Sequence, residues 1–587
     1  MAFLCVACGP SGRDDGTKGP HLEIKPADFS VTITNGGAVA QAYTATRVDQ
    51  DGNRKDVTHD VTFAVADPAF GSWSTDTLLI TGGAAGPTKV TASDGQGDTG
   101  DTGLTVYVKG TRVDGTAPPD ADSTFDNATE TPGRAPTIAY PADGITVPPN
   151  LGEFDVHWTD SAGNNLYQIE LTNQYIDLRI YTQNPAPAFT SYTIDEWYSL
   201  ASTKQQLTLT VAGLNTATPT QKGTSTPQHV DATNESVAGG VYYWTTEPTQ
   251  GVYRYDMSTP NMPPSPFFPA GTEPTTCLGC HGLSHDGTKM ALTLDSGNGR
   301  GTIFNVADRS VLVPYATNPQ YWNFATFNAD ASKVITVFTG VMSLRDPNGG
   351  AVLATIPSSP NMLATHPELS PDGTRLANVE TTSDFYDFQV SDGSIVTRSF
   401  DTGSNTFGSI QMLVPNASGA SNYYPSWSPD GQWLLFTRTI GNSYDDASAQ
   451  IWVVKADGTQ PPIQLFFADT TGSGLTNSWA RWAPFPQTFG AMAEQVFYIT
   501  FSSKRAFGVR PLSSSQWGLD PQIWMAPFFP DRALAAQDPS GPAFRMPFQL
   551  LESGNHIAQW TQAVVIGRKA DGSVLTQAEA AGVTNRR

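Results

Sequence analysis

The sequence predicts an all-β chain in which two N-terminal β-sandwich domains precede a six-bladed β-propeller. Three observations predict it. The 587 residues are poor in charge (15%) and rich in turn formers, with 54 Gly and 44 Pro, a balance that favours short strands joined by tight turns. Apolar and polar residues alternate with period two across residues 22–108 and again across 135–240, as half-buried strands do. From about residue 277 onward one strand–turn–strand unit recurs, and a repeat of that size signals a ring or stack of like sheets. A chain this long is expected to form several domains.

Charge excludes some partners at once. Lys and Arg number 33 against 55 Asp and Glu, a net charge of −22. A field of that sign repels phosphate backbones and anionic lipid surfaces, so no nucleic acid is expected, and membrane contact only through an anchor. Such an anchor is suggested by residues 1–21. Met1 to Gly9 reads MAFLCVACG and turns polar at Pro10. The run resembles the end of a bacterial lipoprotein signal, which makes Cys8 the lipidated residue and implies a periplasmic, outer-membrane or extracellular location. Two departures stand against it: a positively charged start is missing, and Cys5 occupies a place where Leu is usual.

The first alternating block, 22–108, contains Phe29 to Ile33, Val61 to Val65 and Thr105 to Val108, with a turn at Asp51-Gly52. It resembles the bacterial immunoglobulin-like domains of surface proteins. Residues 109–134 read as a solvated linker. Asp120, Asp122 and Asp126 raise the possibility of calcium there, though their spacing matches no calcium loop. The second block, 135–240, runs from Phe154-Asp-Val-His-Trp158 through Tyr167 to Leu171 and Leu207 to Val211. It resembles a fibronectin type III-like sandwich with Trp158 buried, and His157 is expected on its outer face. Both domains read as spacers or adhesion modules.

The repeat spans residues 241–566. Leu369-Ser-Pro-Asp-Gly-Thr-Arg-Leu-Ala377 matches Trp427-Ser-Pro-Asp-Gly-Gln-Trp-Leu-Leu435, and Leu283-Ser-His-Asp-Gly-Thr-Lys-Met-Ala291 is the same unit. Weaker copies begin at Phe327, Trp482 and Trp560. Each is two strands around an Asp-Gly turn. The Trp-Ser-Pro-Asp-Gly turn resembles that of TolB-type β-propellers, which implies four-stranded blades around a channel. Six blades are expected, starting near residues 277, 322, 364, 422, 478 and 556. The last is a lone strand that borrows partners from residues 241–257 to close the ring. Residues 567–587 are left as a C-terminal tail.

One motif carries chemistry. Cys277-Leu-Gly-Cys280-His281 is a C-x-x-C-H run, the attachment pattern of c-type haem, in which both thiols bond the porphyrin and the imidazole ligates the iron. The alternatives are a Cys277–Cys280 disulfide or dithiol, and a metal site completed by His285. Aligning the repeats on their Ser gives three rows around the channel. The first, Cys280, Phe324, His366, Tyr424, Trp479 and Ile557, is an apolar collar. The second, His281, Ala325, Pro367, Pro425, Ala480 and Ala558, is small except for its one imidazole. The third, Gly282, Thr326, Glu368, Ser426, Arg481 and Gln559, is polar and lacks a side chain only at Gly282. The motif blade therefore adds ligands and removes bulk together, which favours haem. His556 and His366 are the candidate distal ligands, with Met362 or an open position as alternatives. Tyr321, Trp322, Phe324, Tyr423, Tyr424 and Trp479 are candidates to pack a porphyrin, whereas Trp427, Trp482 and Trp560 read as packing between blades.

Hydrolase motifs such as G-x-S-x-G and H-E-x-x-H are missing from the sequence. Glu368 and Arg481 offer an acid and a cation without a paired constellation, so an enzyme is not expected. The expected function is electron transfer or redox sensing by one haem c, with a redox partner. The alternative is a haem-free propeller whose channel binds a protein or glycan.

Overall fold

The computed structural model describes residues 20–269, 278–382, 387–416, 419–470, 474–515 and 518–581. Cys5, Cys8 and Cys277 therefore lie outside the described residues. The chain is all-β, and no helix among the described residues is long and apolar enough to cross a membrane. It divides into two compact units: residues 1–111 with 174–178, and residues 112–173 with 179–587.

The first unit is built from the short alternating runs. His21–Lys25, Thr44–Val48 and Arg54–Asp56 form one antiparallel sheet, and Ala38–Ala42, Thr77–Thr81 and Gly71–Ser74 form another. Val61–Val65 pairs with Gly86–Asp94, which pairs with the long strand Thr99–Val113. Most of these runs turn alternate residues inward, Arg54–Asp56 being exposed throughout, and Ile33, Tyr43, Leu78, Ile80, Val90 and Val106 make the core.

The second unit begins with the segment read as a linker. Residues Ala121–Asn127 form a helix instead, because Ala121 and Phe125 bury against Leu166, Tyr181 and Leu214. The carboxylates considered for calcium are engaged there: Asp122 accepts from Tyr181 Oη at 2.6 Å, and Arg179 lies 3.7 Å from Asp122 and 3.9 Å from Asp126. A guanidinium in that place would compete with a cation for the oxygens of Asp122 and Asp126.

Residues 135–240 form strands around buried Trp158 and Trp197, the latter stacked on Phe154 with centroids 4.4 Å apart. A second helix, Ile194–Ala201, starts at a capping box of Thr193 and Glu196, satisfying two amides at the helix start. His157 is fully buried rather than on an outer face. It is ringed by Tyr140, Phe189 and Phe507, so propeller residues cover the face that alternation left open. This region belongs to the same compact unit as the propeller. The Asn150 amide donates to Val237 O and Met257 O at 2.8 and 2.5 Å, and Asp155 pairs with Arg510 at 3.0 Å.

The propeller is a cycle of antiparallel sheets. Their inner strands are Leu278–Leu283, Phe324–Phe327, Leu363–Leu369, Ser421–Trp427, Ser478–Trp482 and Asn555–Thr561. Each inner strand packs beside the next, and the last packs beside the first. The closing sheet takes Asn555–Thr561 from the C-terminal side and Gly240–Thr245, Gly251–Asp256 and Ser265–Pro269 from the N-terminal side, which leaves the ring without a free inner edge.

The repeated turn explains its own sequence. Ser370 Oγ donates to Asp372 at 2.5 Å and accepts from Arg375 N at 2.9 Å. Ser284 and Ser428 make the same pair of bonds. Gly373 has φ of 71°, where a side chain is strained. In the weaker copy Asn328 accepts from Lys333 N at 2.8 Å and so does the serine's work.

The C-terminal segment is no loose tail as far as residue 581. Val565–Arg568 pairs with Val574–Thr576, and the helix Gln577–Ala580 follows. Val565 and Val574 pack on the closing and first sheets.

Candidate functional site

The inner strands bring the three sequence rows together around the axis, but not as regular strands would. The collar and the polar row are two residues apart, the spacing that a regular strand places on one face, yet the row between them, His281, Ala325, Pro367 and Pro425, borders the same cavity. A one-residue bulge accounts for it. Leu278 pairs with Leu294 and His281 with Leu292, so three steps on one strand match two on its neighbour. The same shift occurs at Thr365 to Glu368, Tyr423 to Ser426, Ser478 to Arg481 and His556 to Gln559. His366, Tyr424, Trp479 and Ile557 take φ values of 47°, 51°, 58° and 56° there. The bulge turns these side chains inward.

The collar is a plug. Tyr424 stacks on Trp479 at 3.7 Å between centroids, Phe324 lies 6.0 Å from both, and His366 lies 4.6 Å from Phe324 and 4.2 Å from Tyr424. Half-buried Cys280 packs against this cluster. A small cavity of about 30 Å³ remains, bordered by Cys280, His281, His366, Glu368, Arg481 and Gln559 among others. The collar rings thus pack on one another rather than around an open space. Two other aromatics considered for porphyrin packing are also engaged elsewhere. Trp322 is buried with Ala291, Ile303 and Val334, while Tyr321 is 44% exposed and faces Phe338.

His281 sits in the small-residue row, 4% exposed, and neither ring nitrogen has a hydrogen-bond partner. Burial holds its pKa down to about 4; main-chain groups of Tyr242 and Ile557 oppose the shift and the Arg481 charge adds to it. The ring is therefore a neutral imidazole, the form that ligates a metal. His366 is alike: 4% exposed, without partners at either nitrogen, and pushed well below the usual histidine range by burial. His556 stacks on Trp244 at 4.7 Å. It lines a cleft of about 270 Å³ with Tyr444, Asp445, Trp479, Lys504 and Asp520, on the side where the inner strands begin. Burial lowers it to about 4, and the nearby His281 contributes. His285 instead lines a cavity at the opposite, Asp-Gly-turn end of the channel with Gly282 and Leu283. That separates it from Cys280 and His281 as a fourth metal ligand. Met362 is half-buried just before the strand Leu363–Leu369.

These residues test the cofactor reading. A thiol beside a buried, neutral, unpartnered imidazole fits c-type haem in its donor chemistry. The plugged channel gives no room for a porphyrin inside it; the open space on the strand-start side is the cleft beside His556, about 270 Å³, which is lined by Trp479 and Ile557 of the collar but not by Cys280 or His281. No group of three or more His, Cys, Asp or Glu suited to a bare metal ion occurs among the described residues. Gly282 has a cause that the sequence did not suggest. A Cβ there would lie 2.5 Å from the carbonyl oxygen of Ala325, so close approach of the neighbouring strand excludes a side chain.

The indoles of the repeat tie sheet to sheet. Trp427 Nε1 donates to Glu368 O and Trp482 Nε1 to Ser426 O, each at 3.0 Å. Trp560 Nε1 donates to Thr500 Oγ1 at 2.8 Å. The cleft beside His556 combines strand residues, Ser478, Trp479, Ser502, His556 and Ile557, with loop residues such as Tyr444 and Asp445 that carry no shared sequence pattern.

No protein-family model matches the sequence, and no curated protein matches it. Among solved structures, TolB from Acinetobacter baumannii is similar at 11% identity over 60% of this chain and 79% of that one, with a TM-score of 0.35. Hydrazine synthase from Kuenenia stuttgartiensis is similar at 13% identity over 55% and 83%, with a TM-score of 0.30. A chain of a nidogen/laminin complex is similar at 7% identity over 55% and 98%, with a TM-score of 0.32. The β-propeller assignment rests on the strand order described above.

Proposed function

We propose that this is a cell-envelope protein, tethered through Cys8, with two immunoglobulin-like domains and a six-bladed TolB-like propeller that carries one haem c for electron transfer or redox sensing. Cys277 and Cys280 would hold the porphyrin and His281 would ligate the iron. One observation carries the reading: the single imidazole of the small-residue row is buried, neutral and without a partner at either nitrogen, and it adjoins Cys280. A buried polar ring with both nitrogens unsatisfied costs stability, and a ligand bond to one of them removes part of that cost.

A bound haem supplies a one-electron couple, tuned by its axial ligands and by burial. The chain's own residues set the surroundings. Phe324, Tyr424 and Trp479 pack into the plug beside the motif. His556, stacked on Trp244 beside the cleft, is the better-placed distal candidate. His366 is held inside the plug between Phe324 and Tyr424 and would have to leave it to reach an iron outside.

The test is a pyridine haemochrome spectrum of protein exported from cells that express the c-type maturation machinery, beside Cys277→Ala/Cys280→Ala. The expected result is a spectrum of haem joined through two thioethers, lost in the double variant. A colourless wild type, with a control cytochrome matured in the same cells, would overturn the reading.

A further inference from the structure

Beyond the aromatic plug, the Asp-Gly-turn end of the channel opens into a cavity of about 170 Å³. Trp427, Trp482 and Trp560 form part of its walls, and Glu368, Arg481 and Gln559 reach it from the polar row. Glu368, Arg481 and Gln559 also border the small cavity next to Cys280 and His281, so this end adjoins the motif; it shares no lining residue with the cleft beside His556.

Arg481 is the unusual group. Its Nη1 donates to Ala480 O at 3.0 Å, while its Nε is buried and has no partner. Glu368 borders the same cavity, yet no ion pair joins the two among the described residues. The side chains of Glu368, Ser426 and Gln559 make no hydrogen bond among the described residues. A cation half-buried without a counter-ion is expensive, so the cavity is short of an anion.

The chemistry narrows which anion. A guanidinium fork matches a carboxylate in a planar, two-bonded pair. A single cation beside a carboxyl group disfavours a dianion such as phosphate. The space exceeds what a small inorganic ion would fill, and the indole walls suit an apolar body behind the charged end. We infer that this cavity binds a carboxylate-bearing ligand, with Arg481 pairing the carboxylate and Glu368, Ser426 and Gln559 hydrogen-bonding around it. The ligand is either a free small organic acid or the C-terminal end of a polypeptide, since both present the same group. The inference holds whether or not haem is attached at the other end.

The test uses the full chain, with ligand binding followed by calorimetry and saturation-transfer NMR. The probes are benzoate, the tripeptide Ala-Ala-Phe with a free C-terminus, and the same tripeptide as its C-terminal amide. The expected result is binding of a free acid that weakens at least tenfold for the amide or, with benzoate, in Arg481→Gln. Benzoate binding would identify a small acid as a sufficient ligand, and tripeptide binding without benzoate would identify a chain end. Equal binding of acid and amide tripeptides, equal binding by a folded Arg481→Gln variant, or no binding of either acid up to about 10 mM would overturn the inference. The acid-against-amide comparison uses the wild type, so it stands even if the variant fails to fold.

Discussion

Gly282 separates two explanations of the motif blade. In the sequence it looks like bulk removed to admit a cofactor; in the fold it is where two inner strands come too close for a side chain. Gly282→Ala puts a methyl 2.5 Å from Ala325 O. Relief to a tolerable carbon–oxygen distance of about 3.3 Å requires the strands Leu278–Leu283 and Phe324–Phe327 to part by roughly 0.8 Å. Neither partner is a flexible side chain, and overpacking of this kind costs about 1–3 kcal/mol. The assay is urea unfolding of wild type and variant, both made in cells without c-type maturation and therefore without haem. A lowered midpoint at unchanged slope is expected. Equal midpoints would refute the steric account and return Gly282 to the cofactor reading, the more so if the variant then failed to attach haem in cells that can mature it.

Two further outcomes are expected. Burial raises Glu368 from its usual 4.5 to about 7, so between those values the folded chain holds a proton that the unfolded chain releases. Its contribution is present below about pH 4.5 and is lost as pH rises through about 7. Glu368→Gln should therefore gain in Tm over wild type between pH 5 and pH 8, and a difference that stays flat across that range would refute the shift. Trp427→Phe removes the bond from Nε1 to Glu368 O and should lower stability by about 1–2 kcal/mol, read from urea midpoints; an unchanged midpoint would show that the indole serves only as bulk.

Much of the propeller was legible because its repeat is local. Ser370, Asp372 and Gly373 hold one another within a single turn, so the unit reads the same wherever it occurs, and its spacing locates the inner strands. The motif Cys277 to His281 was legible for the same reason. So was the closing sheet, since a lone C-terminal strand needs partners and residues 241–257 were the strands left over.

Tertiary structure decided what those rows do. Alternation tells which residues share a face, but a one-residue bulge changes the face and leaves no mark on composition. The bulges at His366, Tyr424 and Trp479 turn a collar into a plug by bringing together rings from separate sheets. Burial of His157 depends on Phe507, hundreds of residues away. The helix Ala121–Asn127 depends on the apolar surface that Phe125 finds on later strands. The sequence by itself determined the repeating unit, its turn and the cysteine motif, because short-range hydrogen bonds and strand period encode them. Which side chains face each other across the axis, which imidazoles lose water, and why Gly282 lacks a side chain were decided only by tertiary structure, because each depends on how closely separate strands approach.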